Sequence, residues 1–486
     1  MHAKYNFVNK LCMLGKNIHL RYAIFSVAVI AGILFFCGLD EGMRDWDEGV
    51  YAQVAKEMHL RNDWLTPYYS GKPFIDKPPL LMWCTMLSYR IFGIGVWQAR
   101  LTTYIASIAL LILTMLFAAK TISPHAGALT GLFLLGMPHF VKEAKMGHLE
   151  QIVSLFLTFS LISFWYARTK KTAAVWCGIA AGLAFLTKWV VGLCAPIVQI
   201  IVIAAGIQRT LLKNKWWWIG YAIGISIAAP WFIYHYSAFP AQFMDTYFGR
   251  MIVESITEGV NDHTGPFYYY VAVLIKKARP WGVLLLPLTA YLGYRTAKRD
   301  SFGTFLFVWL SVFLVIFSFS TTKIHRYIVI LYPVFALGLS YAVQRISVLS
   351  NRYTLIMLTA LLIIALHCII SKDFLKSDYH HTLQHVLKAS AGDIAQTAEI
   401  YVYGSTKTYK PTLLFFTEKT IKKLSSTDEL LATVAHHEKI FLIVKSPDDH
   451  EIYALLESGA CAESKPAYNA GNLTVFFLKK SQSIGK

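Results

Sequence analysis

The sequence predicts an α-helical polytopic membrane protein of about eleven transmembrane helices, followed by a small C-terminal α/β domain. Three observations carry that prediction. The 486-residue chain is 56% hydrophobic and 15% charged, with a mean hydropathy of +0.47, whereas soluble domains carry nearer ~25% charge. Its apolar residues gather into eleven stretches between residues 22 and 371, most of them reaching the ~17–25 residues that a bilayer crossing needs. The acidic residues of that region fall in alternate connections: Asp40, Glu41, Asp45, Asp47, Glu48, Glu57, Asp63, Asp76, Glu143, Glu150, Asp245, Glu254, Glu258 and Asp262 lie on one side, and only Asp300 on the other. Carboxylates are costly in hydrocarbon, so the pattern builds one acidic, water-facing membrane boundary, as a membrane-embedded enzyme would.

The first span, 22–39, follows Lys4, Lys10, Lys16 and Arg21. Phe35-Phe36-Cys37-Gly38 offers no small-x-small cleavage site, so this is a retained helix and not a signal peptide. Placing its basic flank in the cytoplasm sets the orientation. A long outer connection, 40–96, leads to spans at 97–119, 122–141 and 149–167. One nearly continuous apolar run, interrupted by Lys188 and Trp189, supplies 172–187 and 189–206. The remaining spans are 215–235, 267–293, 302–320, 327–345 and 353–371. The inner loops 168–171, 209–215, 295–299 and 345–352 are short and basic, as the positive-inside rule requires. Eleven spans then put the C-terminal segment outside.

Two domains follow: 1–371, transmembrane and catalytic, and 372–486, extracytoplasmic. In the second, 400–403, 412–417, 440–444 and 473–478 read as strands, with helices at 428–435 and 449–458. Alternation of this kind suggests an α/β fold. The tail carries no catalytic constellation, and no repeat or low-complexity segment occurs anywhere.

The net charge of +18 sits largely in the inner loops, so anionic membrane lipid is the implied partner and nucleic acid is not. Cys12, Cys37, Cys84, Cys177, Cys194, Cys368 and Cys461 lie mostly in or beside apolar spans without a C-x-x-C pair. They read as small core hydrophobes.

Within the outer connection, Val50, Tyr51, Val54, Ala55 and Met58 give residues 47–60 one apolar helical face, suited to lying in the membrane interface. Asp47 and Glu48 open this helix, either as ordinary first-turn acids that complement its dipole or as catalytic carboxylates held at the water–lipid boundary. Next comes Tyr68-Tyr-Ser-Gly-Lys-Pro-Phe-Ile-Asp-Lys-Pro-Pro-Leu80. Its consecutive prolines forbid helix up to Lys77 and present Asp76 and Lys77 on a rigid turn. That turn is either an ordinary surface ion pair or a fixed cation for a lipid-linked phosphate.

Asp47-Glu48-Gly-Val-Tyr-Ala, then Asp63-Trp64 with Pro67, then Asp76-Lys-Pro-Pro-Leu80 with Trp83, resembles the first outer loop of the GT-C glycosyltransferases. The group resembled is the bacterial family of protein O-mannosyltransferases and the lipid A aminoarabinose transferase, whose pattern is roughly D-E-x-x-Y-A, D-W-x-x-P, E-K-P-P-L-x-x-W. Lys145-Met-Gly-His-Leu-Glu150 resembles its G-x-L-D element, with Glu150 where Asp is usual. Phe185-Leu-Thr-Lys188 resembles F-L-T-K-G, with Trp189 replacing the glycine. His263-Thr-Gly-Pro-Phe-Tyr-Tyr-Tyr270, followed by Arg279-Pro-Trp281, is similar to H-x-G-P-F-W-Y-Y and F-P-W, and Lys323-Ile-His-Arg-Tyr327 to K-x-x-R-Y. The resemblance runs from about residue 40 to 345.

What the resemblance implies is transfer of a sugar from a polyprenyl-phosphate carrier to a lipid A, protein or other envelope acceptor at the outer face of the inner membrane. Asp47, Glu48 and Glu150 are then the catalytic carboxylates. Lys77, Lys188, Lys323 and Arg326 would hold the donor phosphate, and Tyr51, Asp76, His263 and Tyr268 would line the substrate site. No cofactor is assigned, and whether a metal is required stays open: a divalent cation between Asp76 and His263 fits their ligand types. Plainer readings stand beside these: Tyr268 to Tyr270 and Trp281 as an interfacial aromatic belt, His139 and His367 as packed side chains, and Lys188 as a snorkelling cation. The rival functions are a transporter or flippase of a lipid-linked sugar, which would be expected to show paired repeats and midplane polar groups, and a scaffold displaying the tail.

Overall fold

The computed structural model describes residues 25–345, apart from 41, 44–45 and 255–263, and, with short gaps, 387–480. The chain divides into two compact units: Met1–Leu39, Ile75–Cys84 and Arg100–Phe374 form the first, and Asp40–Phe74, Thr85–Ala99 and Leu375–Lys486 the second.

The first unit is a helical bundle. Val96–Thr121, Leu149–Tyr166, Lys215–Ala238, Ser301–Phe319 and His325–Arg345 are long and apolar enough to cross a membrane. Phe25–Phe36, Pro124–Leu135, Lys171–Thr187 and Trp189–Ala204 are shorter apolar helices, and a further one, Leu80–Phe92, is divided between the two units. The protein is a multi-pass membrane protein. Span 353–371 and residues His263 and His367 lie outside the described residues.

Two expected spans are broken. Residues 122–141 form Pro124–Leu135 and Pro138–Glu143, because Pro138 lacks the N–H that would continue the first helix and starts a second at its first turn. Residues 267–293 form Tyr269–Lys277, a 3-10 turn Trp281–Leu284 and Leu285–Ala297, divided at Pro280 for the same reason. The run 172–206 divides at Lys188, where φ −151° and ψ 82° interrupt the helix. Helix Val175–Thr187 lies directly on Lys215–Ala238. A Cβ on Gly178 would sit 2.1 Å from the Tyr221 backbone nitrogen, so only glycine permits this approach.

In the second unit, helix Trp46–Arg61 corrects the expectation of an interfacial amphipathic helix. Glu48, Gln53 and Lys56 are buried together with Val50, Tyr51, Val54, Ala55 and Met58, so it has no single apolar face. The reason is tertiary. The helix packs on Lys410–Thr417, where a Cβ on Gly49 would come 2.8 Å from Pro411 Cβ. Lys56 Nζ donates to the Phe415 carbonyl at 2.6 Å and pairs with Glu418 at 2.7 Å. Much of the outer connection therefore groups with the C-terminal region and not with the bundle. Glu57 accepts from the backbone N–H of Ser70 (2.7 Å) and Gly71 (2.9 Å), fixing the small hairpin between Tyr68–Tyr69 and Lys72–Pro73.

Lys410–Thr417 is itself a correction, since 412–417 reads as a strand. A short continuous apolar run does not distinguish helix from buried strand, and Pro411 favours a first helical turn. The C-terminal sheet orders Thr420–Leu424, Glu399–Tyr403, Ile440–Lys445, Leu473–Lys480 and Cys461–Ala470. The first three strands run parallel, and the last two pairings are antiparallel. The helices expected at 428–435 and 449–458 are Thr427–His436 and Asp449–Glu457. Ser426 caps the first by accepting from Glu429 N–H at 3.2 Å, and the Glu429 carboxylate reaches back to accept from the N–H of Ser425, the residue before the cap, at 2.8 Å. The cysteines among the described residues are free thiols.

Candidate functional site

Three elements of the bundle converge on one buried polar centre. Helix Leu149–Tyr166 carries Glu150 in its first turn, where an anion complements the helix dipole. The helix break carries Lys188. The 3-10 segment His325–Leu331 carries Arg326 and Tyr327. Lys188 Nζ donates to Glu150 Oε1 at 2.8 Å and lies 3.7 Å from the centroid of the Tyr327 ring. Lys188 is 8% exposed and Glu150 5%. The snorkelling alternative for Lys188 therefore gives way to a buried cation held by a carboxylate and an aromatic face. Buried Arg326 is near enough to act electrostatically on both Glu143 and Glu150.

The turn before Glu150 is tied down independently. His148 Nδ1 meets Glu143 Oε2 at 2.8 Å, and the His148 carbonyl accepts from Thr103 Oγ1 at 3.2 Å. His139, read from sequence as a packed side chain, is buried, with Nδ1 2.9 Å from the Tyr332 hydroxyl. Neither Glu143 nor His148 was singled out as a site residue. Their signal was local: His139 and Glu143 are one helical turn apart, and Glu143 and His148 flank a single tight turn.

Lys323 is placed differently from the expectation of a phosphate ligand. Its ammonium donates to the carbonyls of Phe317 (3.2 Å), Ser318 (2.7 Å) and Ser320 (2.5 Å). It thus caps the end of helix Ser301–Phe319, as a cation at a C-terminus does. Asp76 accepts from Arg250, which sequence reasoning missed. His263, its expected partner around a cation, lies outside the described residues. Lys77 is half-buried, and the two prolines after it lead into helix Leu80–Phe92. Tyr268 is exposed, whereas Tyr270 is buried and its hydroxyl accepts from the Ile324 N–H at 3.1 Å. In the second unit Asp47 is half-buried in the first turn of its helix, with Glu48 and Tyr51 buried.

An apolar cavity of about 450 Å³ is lined by Phe185, Trp189, Gly182, Tyr221, Phe232 and Phe248, among others. Phe185 and Trp189 lie close to Lys188 in sequence, while the Lys188 ammonium itself is turned to Glu150 and Tyr327.

Residues 76–234 match the family model described as dolichyl-phosphate-mannose-protein mannosyltransferase. That stretch includes Lys77, Glu150 and Lys188 but neither Asp47 nor Arg326. An undecaprenyl phosphate-alpha-4-amino-4-deoxy-L-arabinose arabinosyl transferase of Pseudomonas fluorescens is 24% identical over 68% of this chain and 58% of its own length. The enzyme of that name from Serratia proteamaculans is 26% identical over 63% and 56%. The chain thus spans less than two thirds of these relatives. Among solved structures, ArnT from Cupriavidus metallidurans bound to undecaprenyl phosphate is similar with a TM-score of 0.68 at 20% identity, covering 93% of this chain and 97% of that one. The Archaeoglobus fulgidus oligosaccharyltransferase gives 0.51 at 13% identity, over 82% and 64%. The fold is of the GT-C type, and the resemblance read from the motifs extends to sequence relatives and architecture alike.

Proposed function

We propose that the protein is an inverting glycosyltransferase that moves a sugar from a polyprenyl-phosphate donor to a lipid A, protein or other envelope acceptor at the outer face of the inner membrane. The observation that carries the reading is the buried Lys188–Glu150 pair, in a helical bundle that also holds an apolar cavity. A lipid-linked phosphate needs an anchored cation for its head and an apolar surface for its tail, and the bundle carries a feature of each kind. The names of the similar enzymes support the same donor class.

In the reaction, an acceptor oxygen attacks the anomeric carbon as the bond from that carbon to the phosphate oxygen breaks. Polyprenyl phosphate departs with the electron pair. Lys77, Lys188 and Arg326 stabilise its growing negative charge. Lys323 acts through the helix end it caps and not on the phosphate. If the acceptor is a hydroxyl, Asp47 takes its proton as general base; if it is already a phosphate, no base is needed. The orientation goes with this reading: N-terminus in the cytoplasm, residues 372–486 outside.

The test uses purified full-length protein in detergent with polyprenyl-phosphate sugars and candidate acceptors. Polyprenyl phosphate should appear one-for-one with glycosylated acceptor. A transporter needs two compartments, so it releases no carrier phosphate under these conditions, and that result with every donor would sink the proposal.

A further inference from the structure

Close to the Glu150 turn lies a second group of ligand-type side chains that the proposed transfer does not use. His139 and Glu143, one turn apart on helix Pro138–Glu143, bring Nε2 and Oε1 to 3.4 Å. This is not a hydrogen bond: His139 Nε2 has no hydrogen-bond partner, although the side chain is only 4% exposed. A buried ring nitrogen of that kind is costly. Two ligands each ~2.0–2.1 Å from a tetrahedral cation stand about 3.4 Å apart, so the separation is that of a shared metal. His325 completes the group, and one ligand atom from each of the three lies within 4.8 Å of the others.

The far sides of two ligands are already held. Tyr332 fixes His139 through Nδ1 at 2.9 Å, and His148 fixes Glu143 through Oε2 at 2.8 Å. Outer partners of this type set the tautomer and orientation of metal ligands. His325 is exposed while the other two are buried, which gives an ion a way in. Lys142, Lys277 and Arg326 also act on this group. They oppose a cation, and Glu143 supplies the anionic ligand that would face it directly.

We propose that His139, Glu143 and His325 bind a divalent transition-metal cation, with zinc the best match to a two-imidazole, one-carboxylate set. The ion joins helix Pro138–Glu143 to the 3-10 segment and so positions Arg326 and Tyr327. This site is separate from the pair Asp76 and His263.

The test is metal analysis of the full-length protein, purified without a histidine tag, exposed to zinc and then freed of excess. His325→Ala, Glu143→Gln and His139→Ala should each lower the zinc content by about one equivalent per chain. His325→Ala alters an exposed side chain and should elute as the unaltered protein does, which separates loss of ligand from loss of fold. Asp76→Asn/His263→Ala should keep that equivalent. Cobalt in place of zinc should give the intense visible absorption of four-coordinate geometry, lost in His325→Ala. Absence of zinc from the unaltered protein, retention by His325→Ala and Glu143→Gln, or loss only in Asp76→Asn/His263→Ala would each overturn the proposal.

Discussion

The ammonium of Lys188 and the carboxylate of Glu150 face each other at 2.8 Å, with the Tyr327 ring 3.7 Å from the same nitrogen. Lys188 sits where its helix breaks, and Glu150 sits in the first turn of the next element over. The pair therefore joins a local backbone interruption to a helix start, and neither residue is replaceable by size alone.

Removing one member leaves the other buried without its ion-pair partner. Breaking a buried pair costs roughly 3–5 kcal/mol, whereas replacing both members with apolar groups is often neutral. Glu150→Gln and Lys188→Met should each lower the thermal midpoint and abolish transfer. Glu150→Leu/Lys188→Met should recover most of the midpoint but no activity. Recovery of turnover in the double variant would make the pair structural only.

Asp47→Asn keeps size and most hydrogen bonding while removing the charge. If Asp47 assists the acceptor, turnover should fall by at least ~100-fold, the usual scale for losing a general base or an electrostatic contact. Elution profile and midpoint should hold, because the side chain is only half-buried. Near-normal turnover would return Asp47 to complementing the dipole of its helix.

Much of this centre was legible in the sequence because the signals were short-range. A lysine inside an apolar run announces a helix break, and paired prolines after Asp76-Lys77 announce a turn followed by a helix. Charges that need distant partners were not legible. Arg250 lies 174 residues from Asp76, and nothing in its local sequence points there. Lys323 sits in a motif that suggests phosphate, yet its partners are the carbonyls at the end of the preceding helix. Helix Trp46–Arg61 showed an apolar face, but the structure buries its polar positions as well, through a segment more than 350 residues away. The strand read at 412–417 failed because a short apolar run such as Leu413 to Phe416 fits either secondary structure when buried.

Asp300, the acid that stands apart from the others, ties the far side of the bundle together. It accepts from the backbone N–H of Phe302 (3.0 Å) and Gly303 (3.1 Å), and from Arg295 and Tyr341. Burial alone would raise its pKa, but the Tyr341 hydroxyl and the Arg295 guanidinium hold it down to about 2. A carboxyl depressed on folding stabilises above its ordinary value and loses that contribution as pH falls through the folded one. Asp300→Asn retains a good N-cap and removes only the charge. Its midpoint deficit should be full above about pH 4 and shrink toward pH 2. A deficit independent of pH over that window would show that the charge is not responsible.

Lys77 separates the enzyme from a carrier of the same lipid. Its turn is fixed by Pro78 and Pro79, so substitution there should leave the following helix Leu80–Phe92 intact. If the ammonium stabilises the departing phosphate, Lys77→Ala should abolish release of polyprenyl phosphate from purified protein in detergent, where no gradient exists. Lys77→Arg keeps the charge but replaces a compact ammonium with a planar guanidinium, so part of the rate should survive. A transporter would show no release in any variant, while donor binding in detergent would be weakened by Lys77→Ala. Measuring carrier phosphate and donor affinity side by side therefore assigns Lys77 to the leaving group or to simple binding.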